Sequence, residues 1–230
     1  MTGIRAALAG VVVLAAAGAP SYAQTAANRP VRRIEVEVGA GLLGGAGLGS
    51  AEANLRANEP TRQTFRLFTT TSDFARAPLW HVGAAFALTR RLALEGTLTK
   101  GRPALRTSTT SDAEGAPPIT ITEKVDQYFI DGSLLVMFDE LRIGARFVPF
   151  AAAGAGYLRQ LHEGRTLIEQ GQVYHAGGGI KYWLLTRNLG LVRTAGLRGD
   201  VRAYLMRGGI SFEDRPRPHV AVSGSVFVGF

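Results

Sequence analysis

Eight stretches of the chain alternate apolar with polar or small residues at a period of two, the spacing of a half-buried β-strand. They cover residues 34–42, 80–89, 92–99, 127–138, 150–159, 173–184, 197–205 and 220–230. The pattern is sharpest in the seventh. There Leu197, Gly199, Val201, Ala203 and Leu205 share one face, and Arg198, Asp200, Arg202 and Tyr204 share the other. The fifth has small residues through its middle. Its apolar face is assigned to Phe150, Ala152, Gly154, Gly156 and Leu158, which leaves Arg159 on the polar face.

The connections alternate in length. Thr89-Arg90-Arg91, 139–144 and 187–195 are short, whereas 50–78, 101–124, 161–170 and 208–218 are long and rich in Thr, Ser and Arg. Long connections at one end and short ones at the other predict an all-β fold, an eight-stranded antiparallel up-and-down transmembrane β-barrel. Its short turns would be periplasmic and its long loops extracellular. Two hairpins are candidates to run on past the membrane, with 64–74 as one such extension.

Soluble barrels alternate as well, but they turn their apolar face inward; membrane barrels turn it to lipid and keep a polar interior. The aromatic residues favour the second arrangement. Tyr174 and Tyr182 lie on the apolar face eight residues apart. At about 3.3 Å per residue and a tilt near 40°, that separation spans roughly 20 Å, close to the height between two aromatic girdles. Trp80, Tyr128, Phe138 and Phe150 are assigned to the same girdles, and Phe230 ends the chain in phase with the apolar face.

Composition narrows the setting. Residues 1–23 read as a cleaved signal peptide: a charged start, an apolar run over 6–17 that is too short to span a bilayer, and Ser21-Tyr22-Ala23 before the cut. Residues 24–32 then form a short periplasmic segment, and 33–230 the barrel. There is no cysteine, so disulfides, thiolate metal ligands and a lipidated cysteine are excluded. The net charge of +8 is carried almost wholly by arginine, which suits anionic lipid headgroups and lipopolysaccharide phosphates. Nucleic acid is not an expected partner of an exported chain.

Gly39-Ala40-Gly41-Leu42-Leu43-Gly44 matches the dinucleotide fingerprint G-x-G-x-x-G. That motif needs a following helix and an acidic residue about 20 positions on, at the end of a second strand. "SAEANLRANEPTRQ" after Gly49 supplies neither. Gly39 and Gly41 instead belong to a strand, where they leave room in a narrow lumen for larger residues opposite.

The polar face carries Glu35, Glu37, Glu95, Asp131 and Asp200 against Arg159, Lys181, Arg198 and Arg202. An eight-stranded barrel is only wide enough for its side chains to fill, and buried charges must pair. A salt-bridged plug in the lower half is expected, centred on Arg198 and Arg202 with Glu35, Glu37 and Glu95. Charges bathed in a water-filled lumen are the alternative. His81 and His175 share this face without a third metal ligand nearby, and no H-x-S lies on a strand. Ser223 and Ser225 are two strands from His175. No catalytic, cofactor-binding or metal residue is therefore assigned, and the protein is not expected to be an enzyme.

"FVPFAAAGAGYLR", "HAGGGIKYWL", "GLRGDVRAYL" and the terminal "VAVSGSVFVGF" resemble successive strands of the small bacterial outer-membrane β-barrel family, typified by the OmpA transmembrane domain. The resemblance implies an eight-stranded barrel in the bacterial outer membrane and no single function. It also implies that Phe230 is a C-terminal signal read by the insertion machinery. The function expected is envelope integrity or surface interaction through the long loops, with outer-membrane lipids, lipopolysaccharide and an unidentified surface ligand as partners. A narrow passive channel, a wall-bound lipid-modifying enzyme and a soluble periplasmic lipid-binding barrel are the other readings.

Overall fold

The structure, a computed structural model, describes residues 34–56, 64–143, 146–163, 167–185, 192–211 and 215–230. The expected signal peptide (1–23) and periplasmic segment (24–32) lie outside the described residues. Twelve strands follow one another: β1 (Ile34–Leu43), β2 (Ala46–Arg56), β3 (Thr64–Phe74), β4 (Ala77–Ala87), β5 (Leu92–Gly101), β6 (Ala104–Thr110), β7 (Ile119–Lys124), β8 (Asp126–Met137), β9 (Phe147–Leu161), β10 (Ile168–Leu185), β11 (Thr194–Gly208) and β12 (Arg217–Gly229). One 3₁₀ turn, Asp139–Leu141, interrupts the pattern. No helix among the described residues is long and apolar enough to cross a membrane.

Eight strands close into an antiparallel barrel in the order β1-β12-β11-β10-β9-β8-β5-β4. Each of the eight alternating segments falls in one of them. The first and last strands pair along their length, and the Phe230 N–H donates to the Ile34 carbonyl at 2.9 Å, so no edge is left open in the wall. At the tight-turn end, Thr89 Oγ1 accepts from the Arg91 and Leu92 amides at 3.2 and 3.0 Å. Arg91 also donates to Glu140 at 2.7 Å, tying two neighbouring turns together.

At the opposite end the connections over 50–78 and 101–124 contain strands. β2, β3, β6 and β7 form a second antiparallel sheet that continues the first two hairpins beyond the barrel. The expected extension over 64–74 coincides with β3. Thr favours extended backbone, but rows of hydroxyls on a wet sheet leave no apolar period to read. A small core of Leu48, Phe74, Leu105 and Val125, with Ile210 packed against it, seats this extension on the barrel. Glu123 fastens its far strand: it lies 3.1 Å from His162 Nδ1 and accepts from the Glu163 amide at 2.7 Å.

The sign of the alternation is that of a membrane barrel. Val38 is 60% exposed, Ile130 57% and Val222 53%, while Glu37, Glu95, Arg198 and Arg202 are buried inside. Gly39 faces the lumen, where a Cβ would lie 2.5 Å from the His81 ring and 2.6 Å from Ser225 Cβ. The glycine there makes room for a neighbour's side chain, not for a phosphate.

Candidate functional site

The lumen is filled in layers, and its middle layer holds the charges. β11 supplies the hub, because its period of two points Arg198, Asp200 and Arg202 inward in succession. Arg198 pairs with Glu37 of β1 at 3.1 Å, with Asp200 at 2.8 Å and, more tightly, with Glu95 of β5. Its guanidinium also lies 4.5 Å from the centre of the Phe150 ring. Arg202 reaches Glu95 at 2.6 Å, Asp200 at 3.4 Å and Asp131 of β8 at 3.7 Å. Glu95 is thus shared by two arginines from one strand. Nearer the turn end, Lys181 of β10 pairs with Glu35.

Hydroxyls complete the layer. Ser225 donates to Glu37 at 3.1 Å and Ser223 to Asp200 at 3.0 Å. A cavity of about 20 Å³ is bordered by His81, Thr97, Thr99, Asp200, Arg202 and Ser223. That is room for about one water molecule, between these polar groups and the apolar Leu79, Tyr204 and Ala221.

Apolar layers close the lumen on both sides. Toward the extension, Leu43, Leu79, Phe129, Leu158, Val173, Tyr204, Met206 and Ala221 form one buried cluster. The Tyr204 ring stacks with Phe129 and with His175, each with 5.3 Å between ring centres. Toward the tight turns, Ala93, Leu135, Phe150 and Ala152 form another, and Phe227 meets Trp183 edge-on at 4.8 Å. Sequence reasoning found the charges but not these seals. Leu43, Leu79, Phe129 and Phe227 look out of phase in a polar-inside pattern, and that mismatch was the available signal.

Of the residues expected in the charge network, Glu35, Glu37, Glu95, Asp131, Lys181, Arg198, Asp200 and Arg202 are brought together in the lumen. Arg159 is not: it stands exposed on the outer wall. Phe150, expected in a girdle, is buried in the lumen at 3% exposure. Both corrections have one cause. β9 runs with the opposite parity to the one assigned, so that Tyr157 and Arg159 face outward and Phe150 and Leu158 inward. Trp80, Tyr128, Phe138, Tyr174 and Tyr182 do lie on the outer wall. Tyr182 packs on Phe147 with 4.6 Å between ring centres near the tight-turn end.

Ser133, His175 and Asp131 also meet in the middle layer. His175 Nε2 lies 3.2 Å from both Ser133 Oγ and Asp131 Oδ1. A proton relay needs serine and carboxylate on opposite ring nitrogens. Here both converge on one nitrogen, beneath the Tyr204 ring, so the group is a polar junction within the fill. No cluster of potential metal ligands occurs among the described residues.

A closed barrel with lipid-exposed apolar residues outside and paired charges inside defines a small transmembrane β-barrel of the outer-membrane type. No protein-family model and no curated protein matches the chain. Among solved structures it is similar to Neisserial surface protein A (NspA), with 13% identity and a TM-score of 0.51 over 85% of this chain and 97% of that one. That likeness shows the fold. The N-terminal β-barrel domain of Pseudomonas aeruginosa OprF aligns at 12% identity with a TM-score of 0.37, over 85% of this chain and 97% of that one. The attachment invasion locus protein Ail of Yersinia pestis aligns at 9% with a TM-score of 0.36, over 85% and 99%.

Proposed function

We propose that the protein is exported to the bacterial outer membrane and spans it as a sealed barrel, serving envelope integrity and presenting its extension and loops at the surface. The observation that carries this reading is the sequence of layers in the lumen. The charged layer of Arg198 and Arg202 is closed by the Phe129–Tyr204 layer on one side and the Phe150–Leu135 layer on the other. Removing two arginines from water is costly, and their multiple carboxylate contacts offset that cost only when both stay in place. The interior therefore works as a fixed strut. Its partners are outer-membrane lipids and lipopolysaccharide, with the insertion machinery reading Phe230 during biogenesis and a surface ligand meeting the loops.

The test is conductance of refolded protein in a planar bilayer, with folding checked by a mobility shift on boiling. The expected trace is silent. Discrete steady openings would show continuous water in the lumen and make a narrow solute channel the function instead.

A further inference from the structure

Arg159 is the side chain that the alternation placed wrongly, and its position on the outer wall gives it neighbours. Lys100 of β5 is the cross-strand partner of Tyr128 on β8, Tyr128 of Arg159 on β9, and Arg159 of Gln170 on β10. Gln172 pairs in turn with Arg207 of β11. These side chains form an arc over five adjacent strands, at the end of the barrel where the extension leaves it.

The Lys100 ammonium lies 5.2 Å from the Tyr128 ring centre. It also lies 3.7 Å from Asp126, which Arg102 approaches at the same distance. Arg159 and Arg207 are exposed, and no carboxylate of the described residues lies within ion-pair distance of either. The arc is one-sided. At the same level β12, β1 and β4 present Pro218, Val220, Leu42, Pro78 and Trp80 outward, without a cation.

Tyr157 and Tyr174 stand beside the arc on the outer wall, and tyrosine concentrates where hydrocarbon gives way to headgroups. A guanidinium at that depth faces lipid headgroups, and phosphate is the anion its planar fork fits best. Below the arc β9 presents Ala151, Ala153 and Ala155 outward, a small-residue track between Gly132, Leu134 and Val136 of β8 and Tyr174, Ala176 and Gly178 of β10. Straight acyl chains can lie flat there.

We propose that this arc binds the phosphorylated headgroup of an outer-leaflet glycolipid. Arg159 and Arg207 hold phosphate, Gln170 and Gln172 between them hydrogen-bond the sugar, and the alanine wall of β9 receives the acyl chains. The assignment rests on the outer-membrane placement proposed above and adds the site and its chemistry.

The experiment measures binding of bisphosphorylated lipid A, and of its dephosphorylated form, to the refolded full chain in micelles. The variants are Arg159→Gln/Arg207→Gln and, as a control, Arg66→Gln, whose side chain pairs with Glu52 on the extension. Each lost charge-assisted contact weakens binding about tenfold, so the double variant should bind roughly a hundredfold more weakly. The control should match the wild type, and millimolar inorganic phosphate should not displace the lipid. Three results overturn the proposal: a double variant that binds like the wild type, equal binding of the dephosphorylated lipid, or displacement by inorganic phosphate alone. A folded wild type that ignores lipid A overturns it too. Failure of the membrane placement shows separately, as wild-type protein that does not float with phosphatidylcholine vesicles.

Discussion

Arg198 holds three carboxylates from three strands and rests on one aromatic ring, so its loss strands more charge than it removes. Arg198→Met leaves Glu37, Glu95 and Asp200 short of a partner inside the wall. The expected cost is about 3–5 kcal/mol, the range for breaking a buried ion pair. Urea unfolding followed by tryptophan fluorescence measures it. Adding Glu95→Met should restore part of the loss, because the surplus negative charge goes with it; an Arg198→Met midpoint equal to the wild type would show that the network contributes nothing. The charges were legible in the sequence because they fall at every second position of strands whose other face is apolar. Arg159 and Phe150 were misplaced for a physical reason: in "AAAGAG" both faces of β9 are small, so hydropathy does not fix parity. Over the alternating segment 150–159 each parity put one aromatic residue outside, Phe150 or Tyr157, and the aromatic criterion could not choose.

At the scale of the strand, glycine plays two different parts. Gly154 of β9 faces the lumen, where a Cβ would lie 2.5 Å from His175 Nε2 and 2.9 Å from Ser133 Cα, and would run into the Gly132 carbonyl. Gly96 of β5 faces outward, and a Cβ there meets nothing within 4 Å. Gly154→Ala should therefore destabilise by about 1–3 kcal/mol, as overpacking of a filled interior does. Gly96→Ala should be neutral or stabilising by about 0.5 kcal/mol, because glycine is a poor strand former. Unfolding midpoints of the two variants decide, and equal effects would mean that the lumen yields as readily as the outer wall. The eight wall strands were readable because lipid on one side and packed charge on the other enforce a period of two. β2, β6 and β7 were not, since a sheet wetted on both faces carries no such contrast.

For the molecule as a whole, the arrangement of the fill matters more than any one pair. Three closures stand in series along the lumen: the Phe129–Tyr204 layer, the arginine–carboxylate layer, and the layer of Leu135, Phe150 and Phe227. Resistances in series are set by the tightest, so opening one closure leaves the barrel shut. Arg202→Ala widens a polar cavity of about 20 Å³, yet Tyr204 above it and Phe150 below it still exclude a water column. Single variants Tyr204→Ala, Arg202→Ala and Phe150→Ala should each remain silent in a planar bilayer while losing stability, by about 3–5 kcal/mol for the two aromatic truncations. The triple variant, if it still shifts in mobility on boiling, should conduct. Steady current through any one single variant would mean that its layer alone held the barrel closed. Silence in a folded triple variant would show that the side chains left in those layers, Phe129, Leu135 and Phe227 among them, close the lumen without the three removed.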